Sequence, residues 1–357
     1  MVHDFVVIGA GPAGAAFTYF ASRRGYSVAV YDQAPWPAFK ACGWAVPRQI
    51  EEVVKIPAEV ILTEIRGFRI YLDGRLIHEK HDTLWGYIID KRAFIETLVS
   101  NAELYTKKPI RLDTTRLRVV SDIERPRRSY VLAPGAATFP HDERIYAVQK
   151  IIRLNNSVDE DVVEFWFDRN LVGYYWVFPR SSHIVDIGVG GYDNPSSFIT
   201  RLQAFVQKRF KNEDYRELDP VKGAWINIGG VKEKLFYSIP PVIGEAAGFV
   251  YPLTGEGIRP SIVSALAALH RIEGESPPQI LHQTMRWIAI QRQILDIVKK
   301  SDPDMRARII SRMPIDVLIG IGVGELSPLQ LLRALPALPS SIATILRKGL
   351  RRTRETD

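Results

Sequence analysis

Cysteine is all but missing from this 357-residue chain, with Cys42 its single example. One thiol excludes an intrachain disulfide, a cysteine-held iron–sulfur cluster and a cysteine-based zinc site, and no metal site is expected. So little cysteine fits a reducing compartment. Long apolar runs are absent too. The best candidate, Ile315 to Val323, is broken by Asp316 and by glycines, and it is far shorter than the roughly 20 residues that cross a bilayer. No apolar leader precedes Phe5, so a cytoplasmic protein is expected. Neither sign of charge dominates: 47 basic against 40 acidic residues leave a net charge of +7. The cluster Arg125, Arg127 and Arg128 has no recognition motif around it, so nucleic acid is not an expected partner. No internal repeat or low-complexity segment is visible.

What is present is an apolar fraction of 46%, enough for a substantial core, and glycine concentrated at two places. The first is Gly9-Ala-Gly11-Pro12-Ala13-Gly14, which follows the β-branched run Asp4 to Ile8 and precedes the Ala-rich stretch Ala15 to Arg24. Strand, tight turn and helix are therefore predicted in that order. Gly9 permits the turn, Gly11 lets the backbone approach a pyrophosphate, and Gly14 lets helix pack on strand. A second apolar run, Ser27 to Tyr31, ends in Asp32 and Gln33, where a carboxylate can accept from ribose hydroxyls. A dinucleotide cradle is predicted. By itself this unit does not choose between NAD and FAD.

The second concentration runs from Gly244-Glu245 through Pro252-Leu-Thr-Gly255-Glu-Gly257 to Ile258. Gly255 and Gly257 stand before the apolar stretch Ile258 to Leu269, which predicts another exposed helix N-terminus suited to negative charge. A glycine-punctuated loop before a core helix is the plainer reading of the same residues. Between the two lies Leu171-Val-Gly173-Tyr174-Tyr175-Trp176-Val177-Phe178-Pro179. On a strand, Tyr174, Trp176 and Phe178 share one face. That face is either an ordinary core stripe or a wall for an apolar ligand.

These segments together resemble the geranylgeranyl reductase family, within the flavoprotein group that includes aromatic hydroxylases. The resemblance implies FAD, with the stretch at Gly244 beside its ribityl and pyrophosphate portions and the Gly255–Ile258 turn near its ring. Glu245 stands where the family usually has Asp. The aromatic strand resembles the family's Pro-x-x-Tyr-x-Trp-x-Phe-Pro signature, with Leu171 in place of the first proline, and implies a substrate wall of Tyr174, Trp176, Phe178 and Pro179. Lys40-Ala-Cys42-Gly43-Trp44 is similar to the family's Lys-x-Cys-Gly-Gly element, whose cysteine lies beside the catalytic pocket; Trp44 replaces the second glycine and narrows that space. Asp90-Lys91-Arg92 resembles an Asp-Arg element near the flavin, displaced so that Arg92 falls one place late. Pro134 replaces the acid of the hydroxylases' Ala-Asp-Gly.

The expected fold is α/β: a Rossmann-type FAD domain (1–65, 81–135, 234–276) interleaved with an antiparallel-sheet substrate domain of α+β character (66–80, 136–233), followed by a helical region (277–357). The resemblance implies an FAD-dependent oxidoreductase that reduces isoprenoid double bonds in a prenyl lipid or prenyl diphosphate. Cys42, Tyr174 and Trp176 would line the catalytic pocket, with Lys40 and Gly43 beside the cofactor. NAD(P)H or ferredoxin would supply electrons. A flavin monooxygenase and a non-catalytic prenyl-lipid carrier are the alternatives. The run Leu329 to Leu346 followed by Arg347, Lys348, Arg351, Arg352 and Arg354 reads either as an amphipathic tail peripheral to the inner face of a membrane or as a packed helix with a solvated end.

Overall fold

The computed structural model describes residues 2–351, except 38, 82, 212–213, 335 and 337. Of the basic tail, Arg352 and Arg354 lie outside the described residues. The strand Phe5–Ile8 is buried throughout, flanked in parallel by Val28–Tyr31 and Ser129–Leu132, with Glu103–Tyr105 at one edge. Its unbroken apolar run reflects cover on both faces. Helix Pro12–Arg23 begins at the first glycine turn with proline in its first turn, and it packs its alanines against helix Ile258–Ile272. Small side chains let the two backbones approach. That contact brings the two glycine turns, more than 240 residues apart in sequence, to one end of the parallel sheet.

A larger sheet runs Tyr215–Glu217, Arg144–Leu154, Ile184–Gly191, Gly173–Ser181, Val162–Phe167, Gly67–Leu72, Arg75–Lys80, and Lys222–Asn227 also pairs with Arg144–Leu154. Its pairs are antiparallel except for Val162–Phe167 against Gly67–Leu72. The predicted hairpin turns at Asp73-Gly74, both with positive φ, as the right-handed twist of a two-residue hairpin requires. Helix Pro195–Arg209 covers one face through Phe198, Leu202, Phe205 and Val206. The other face, carrying the aromatic stripe, turns toward the cofactor cradle. A third sheet of Ala45–Pro47, Gly86–Ile89 and Ile61–Ile65, absent from the sequence reading, joins the two larger ones.

The chain ends in helices Gln279–Lys300, Pro303–Arg312, Ile315–Val323, Pro328–Ala334 and Ser340–Arg351. Pro303, Pro314 and Pro328 stand at or just before helix starts, where a missing N–H costs nothing. Among the described residues no helix is long and apolar enough to cross a membrane. The architecture is the mixed α/β one expected from the sequence.

Candidate functional site

A cavity of about 1080 Å³ runs from the first glycine turn, past the aromatic face of the large sheet, to the underside of the C-terminal helices. At its first end Gly9 has φ +107, and a Cβ there would lie 2.1 Å from the Ala133 carbonyl oxygen. Only glycine fits. A Cβ at Gly11 would meet nothing within 4 Å, so the backbone there is open to a ligand, and no side chain caps the helix it begins. Pro12 and Ala13 also line this end. Asp32 and Gln33 face the same space. The Asp32 carboxylate accepts from the N–H groups of Ala10 (2.6 Å) and Ala34 (2.7 Å), which fixes it at the strand end with lone pairs to spare. Gly14 does not line the cavity: it sits where a Cβ would strike the Gly9 carbonyl at 1.9 Å, and so serves helix packing.

Gly244 also lies behind the wall, tight against Ala13, its N–H donating to the Ser264 hydroxyl at 2.9 Å. Glu245 does line the cavity. It pairs with Lys40 at 2.6 Å and accepts from Asn227 N–H at 3.0 Å, closing one side of the trough. The extra methylene over aspartate supplies the reach. Gly255, Gly257 and Ile258 line the cavity at the start of helix Ile258–Ile272. Here Glu256 accepts from Arg259 N–H at 2.8 Å, and burial pushes its carboxyl pKa up. The buried Arg259 is braced by the Tyr251 hydroxyl (3.0 Å), the Val323 carbonyl and Glu325 (3.4 Å), tying this turn to the C-terminal helices.

Tyr174, Trp176 and Phe178 form one wall. Tyr175 points the other way, onto Phe205 with ring centroids 4.7 Å apart. Pro179 shares that opposite parity, and its carbonyl accepts from Thr63 at 2.9 Å; it does not line the cavity, so its expected substrate contact is corrected. The Tyr174 hydroxyl donates to the Thr254 carbonyl, and burial raises its pKa. Trp176 Nε1 donates to Asp186 Oδ1 at 3.0 Å. Gln149 Nε2 reaches Asp186 Oδ2 at 3.1 Å and the Cys42 carbonyl at 3.3 Å. Burial pushes Asp186 up to about 6.

Cys42, Gly43 and Trp44 line the opposite side. Cys42 is solvent-accessible where it lines the cavity, and the atoms packed around it desolvate the thiol and raise its pKa. A Cβ on Gly43 would lie 2.8 Å from the Phe178 ring, so loop and wall are in contact. Trp44, 4% exposed, holds a left-handed φ of +51 and packs edge-on against Phe94 at 6.3 Å. Arg92 is a correction: it is exposed, bonds Glu96 at 2.7 Å and lies outside the cavity. Asp90 caps helix Lys91–Leu98, and that phase turns Lys91 inward, its Nζ donating to the Lys40 carbonyl at 3.2 Å, while Arg92 faces water. Sequence reasoning missed Gln149, Asp186 and the roof of Ile294, Leu295, Val298, Ile309, Met313 and Ile321. For Asp186 a signal existed, since it is the lone acid in the apolar run Ile184 to Val189.

Residues 144–225, which carry the aromatic strand, match the geranylgeranyl reductase catalytic domain, and residues 7–69, which carry the cradle and the Cys42 loop, match an NAD(P)-binding Rossmann-like domain. Over both segments the chain is similar to geranylgeranyl reductases. It is 27% identical over 287 residues to the digeranylgeranylglycerophospholipid reductase of Methanococcus vannielii, covering 72% of this chain and 73% of that one. The Methanocaldococcus jannaschii protein of the same name is 24% identical, with the same coverage. In fold, the chain superimposes with a TM-score of 0.76 on a geranylgeranyl bacteriochlorophyll reductase-like protein of Thermoplasma acidophilum, at 19% identity and covering 98% and 99% of the two chains. These likenesses make it an FAD-dependent oxidoreductase.

Proposed function

We propose that the chain reduces carbon–carbon double bonds of geranylgeranyl chains in archaeal-type membrane lipids or their prenyl precursors. One observation carries the reading: a single cavity joins both glycine turns to an aromatic and aliphatic channel. The space open over Gly11, the uncapped helix behind it and the carboxylate of Asp32 fit a dinucleotide. Gly9 to Ala13 would hold the diphosphate, Asp32 and Gln33 the adenosine ribose, Lys40 and Glu245 the ribityl region, and Gly255 to Ile258 the ring. Bound there and reduced, FAD would supply the hydride. An isolated alkene accepts hydride poorly, so orientation carries much of the barrier reduction. Tyr174, Trp176 and Phe178 orient the chain, and the roof from Ile294 to Ile321 keeps water out.

The proton for the second alkene carbon comes from Cys42 Sγ. Desolvation keeps that thiol protonated, and it faces the cavity. Tyr175 is on the wrong face, and the Tyr174 hydroxyl hydrogen is engaged by the Thr254 carbonyl. NAD(P)H or ferredoxin would be the external electron donor. Leu329 and Leu332 are exposed on the helix that carries Arg333, next to the helix bearing Arg347 and Lys348, which supports docking of this end on anionic lipid. The deciding experiment is anaerobic incubation with dithionite and geranylgeranyl lipid, read by mass spectrometry. A gain of two hydrogens per bond supports the proposal. A yellow protein that bleaches with no mass gain defeats it, and substrate-dependent oxygen uptake would assign a monooxygenase instead.

A further inference from the structure

Asp186 is 2% exposed, yet the cavity does not reach it. It sits one layer behind the wall, on strand Ile184–Gly191, and each carboxylate oxygen receives one neutral donor: Trp176 Nε1 at 3.0 Å and Gln149 Nε2 at 3.1 Å. Gln149, itself buried on strand Arg144–Leu154, spends the same amide nitrogen on the Cys42 carbonyl at 3.3 Å. With two acceptors before it, that nitrogen cannot be exchanged for the amide oxygen without losing both bonds. Three segments distant in sequence are thus fastened by one carboxylate: the aromatic strand, the strand of Gln149 and the Cys42 loop.

We propose that Asp186 is a positioning residue: through Gln149 it clamps the Cys42 loop to the aromatic wall, and its protonation opens the clamp. A proton on Oδ2 turns an acceptor into a donor that faces another donor. The Gln149 amide must then turn over to present its oxygen, and the Cys42 carbonyl loses its partner. The Trp176 bond to Oδ1 survives in both states. Charged and titratable groups facing Asp186 are Arg180 and Lys91, which favour the carboxylate, and Asp219, which opposes it; Cys42 is the fourth. Burial outweighs the cations and sets the change near pH 6. The inference rests on the proposed function only in taking Cys42 as the proton source.

Cys42 is the sole cysteine, so a dipyridyl disulfide, which also reports at low pH, reads this one site in the FAD-loaded protein. Gln149→Met keeps the charge of Asp186 and removes the clamp. Its Cys42 should react about fivefold faster than wild type at pH 8, the worth of one hydrogen bond, and at the wild-type rate at pH 5, where the wild-type clamp is already open. Asp186→Asn forces the same amide turn at every pH, so adding Gln149→Met to it should change nothing further. A ratio of one throughout overturns the clamp. An equal acceleration at pH 5 and pH 8, or full additivity in the double variant, overturns the switch. No substrate is needed, so failure here is separate from failure of the prenyl-reductase reading.

Discussion

Cys42 and Asp186 lie on either side of Gln149, and desolvation raises both, with opposite consequences. For the thiol, a raised pKa preserves the proton that the reaction needs. Cys42→Ala should therefore keep bound FAD and its reduction by dithionite but lose roughly 100-fold or more in product formation, the scale of a positioned general acid. Stopped-flow flavin reduction alongside product assay separates the two steps. For Asp186 the raised pKa is a cost to folding. An acid whose folded pKa is above its unfolded one contributes stability below the unfolded value, near 3.8, that is lost as pH rises through about 6. Above that pH the penalty is about 3 kcal/mol. Asp186→Asn should accordingly be more stable than wild type in urea at pH 8 and indistinguishable from it at pH 3.

At the scale of elements, the aromatic strand works because its neighbours are small where it is large. Trp176 lies across Gly188 on the adjacent strand, and a Cβ there would fall 2.1 Å from the indole. Gly188→Ala should displace the indole from Asp186, destabilise the protein by about 1–3 kcal/mol and shift the tryptophan emission, measured by denaturation followed by fluorescence. The alternation of a strand made Tyr174, Trp176 and Phe178 legible as one face. The same alternation already placed Pro179 on the other, and the motif match overrode it. Arg92 was misplaced for the helical counterpart of that reason: the cap at Asp90 sets the phase, and a shift of one residue turns a side chain from the interior to water.

Across the whole molecule, the cradle and the aromatic channel belong to different sheets joined along one cavity, so cofactor binding is linked to global stability. Saturating FAD should raise the thermal midpoint, by the equivalent of about 2.7 kcal/mol at a hundred times Kd. Gly11→Val has room in the protein itself, with φ −77 and nothing within 4 Å, but fills the space left for the diphosphate. Its own midpoint should stay near that of wild type while the FAD-induced rise disappears in a thermal-shift titration. What the sequence alone determined were features carried by contiguous residues: the strand–turn–helix cradle, the acid at Asp32, the second glycine turn, the aromatic period and the lone thiol, because each follows from local backbone geometry or from composition. The tertiary structure decided the rest. The Asp186–Gln149–Cys42 clamp, the Lys40–Glu245 closure and the helical roof each join segments tens to hundreds of residues apart. No local rule links them, since burial and register between distant strands select which polar groups meet.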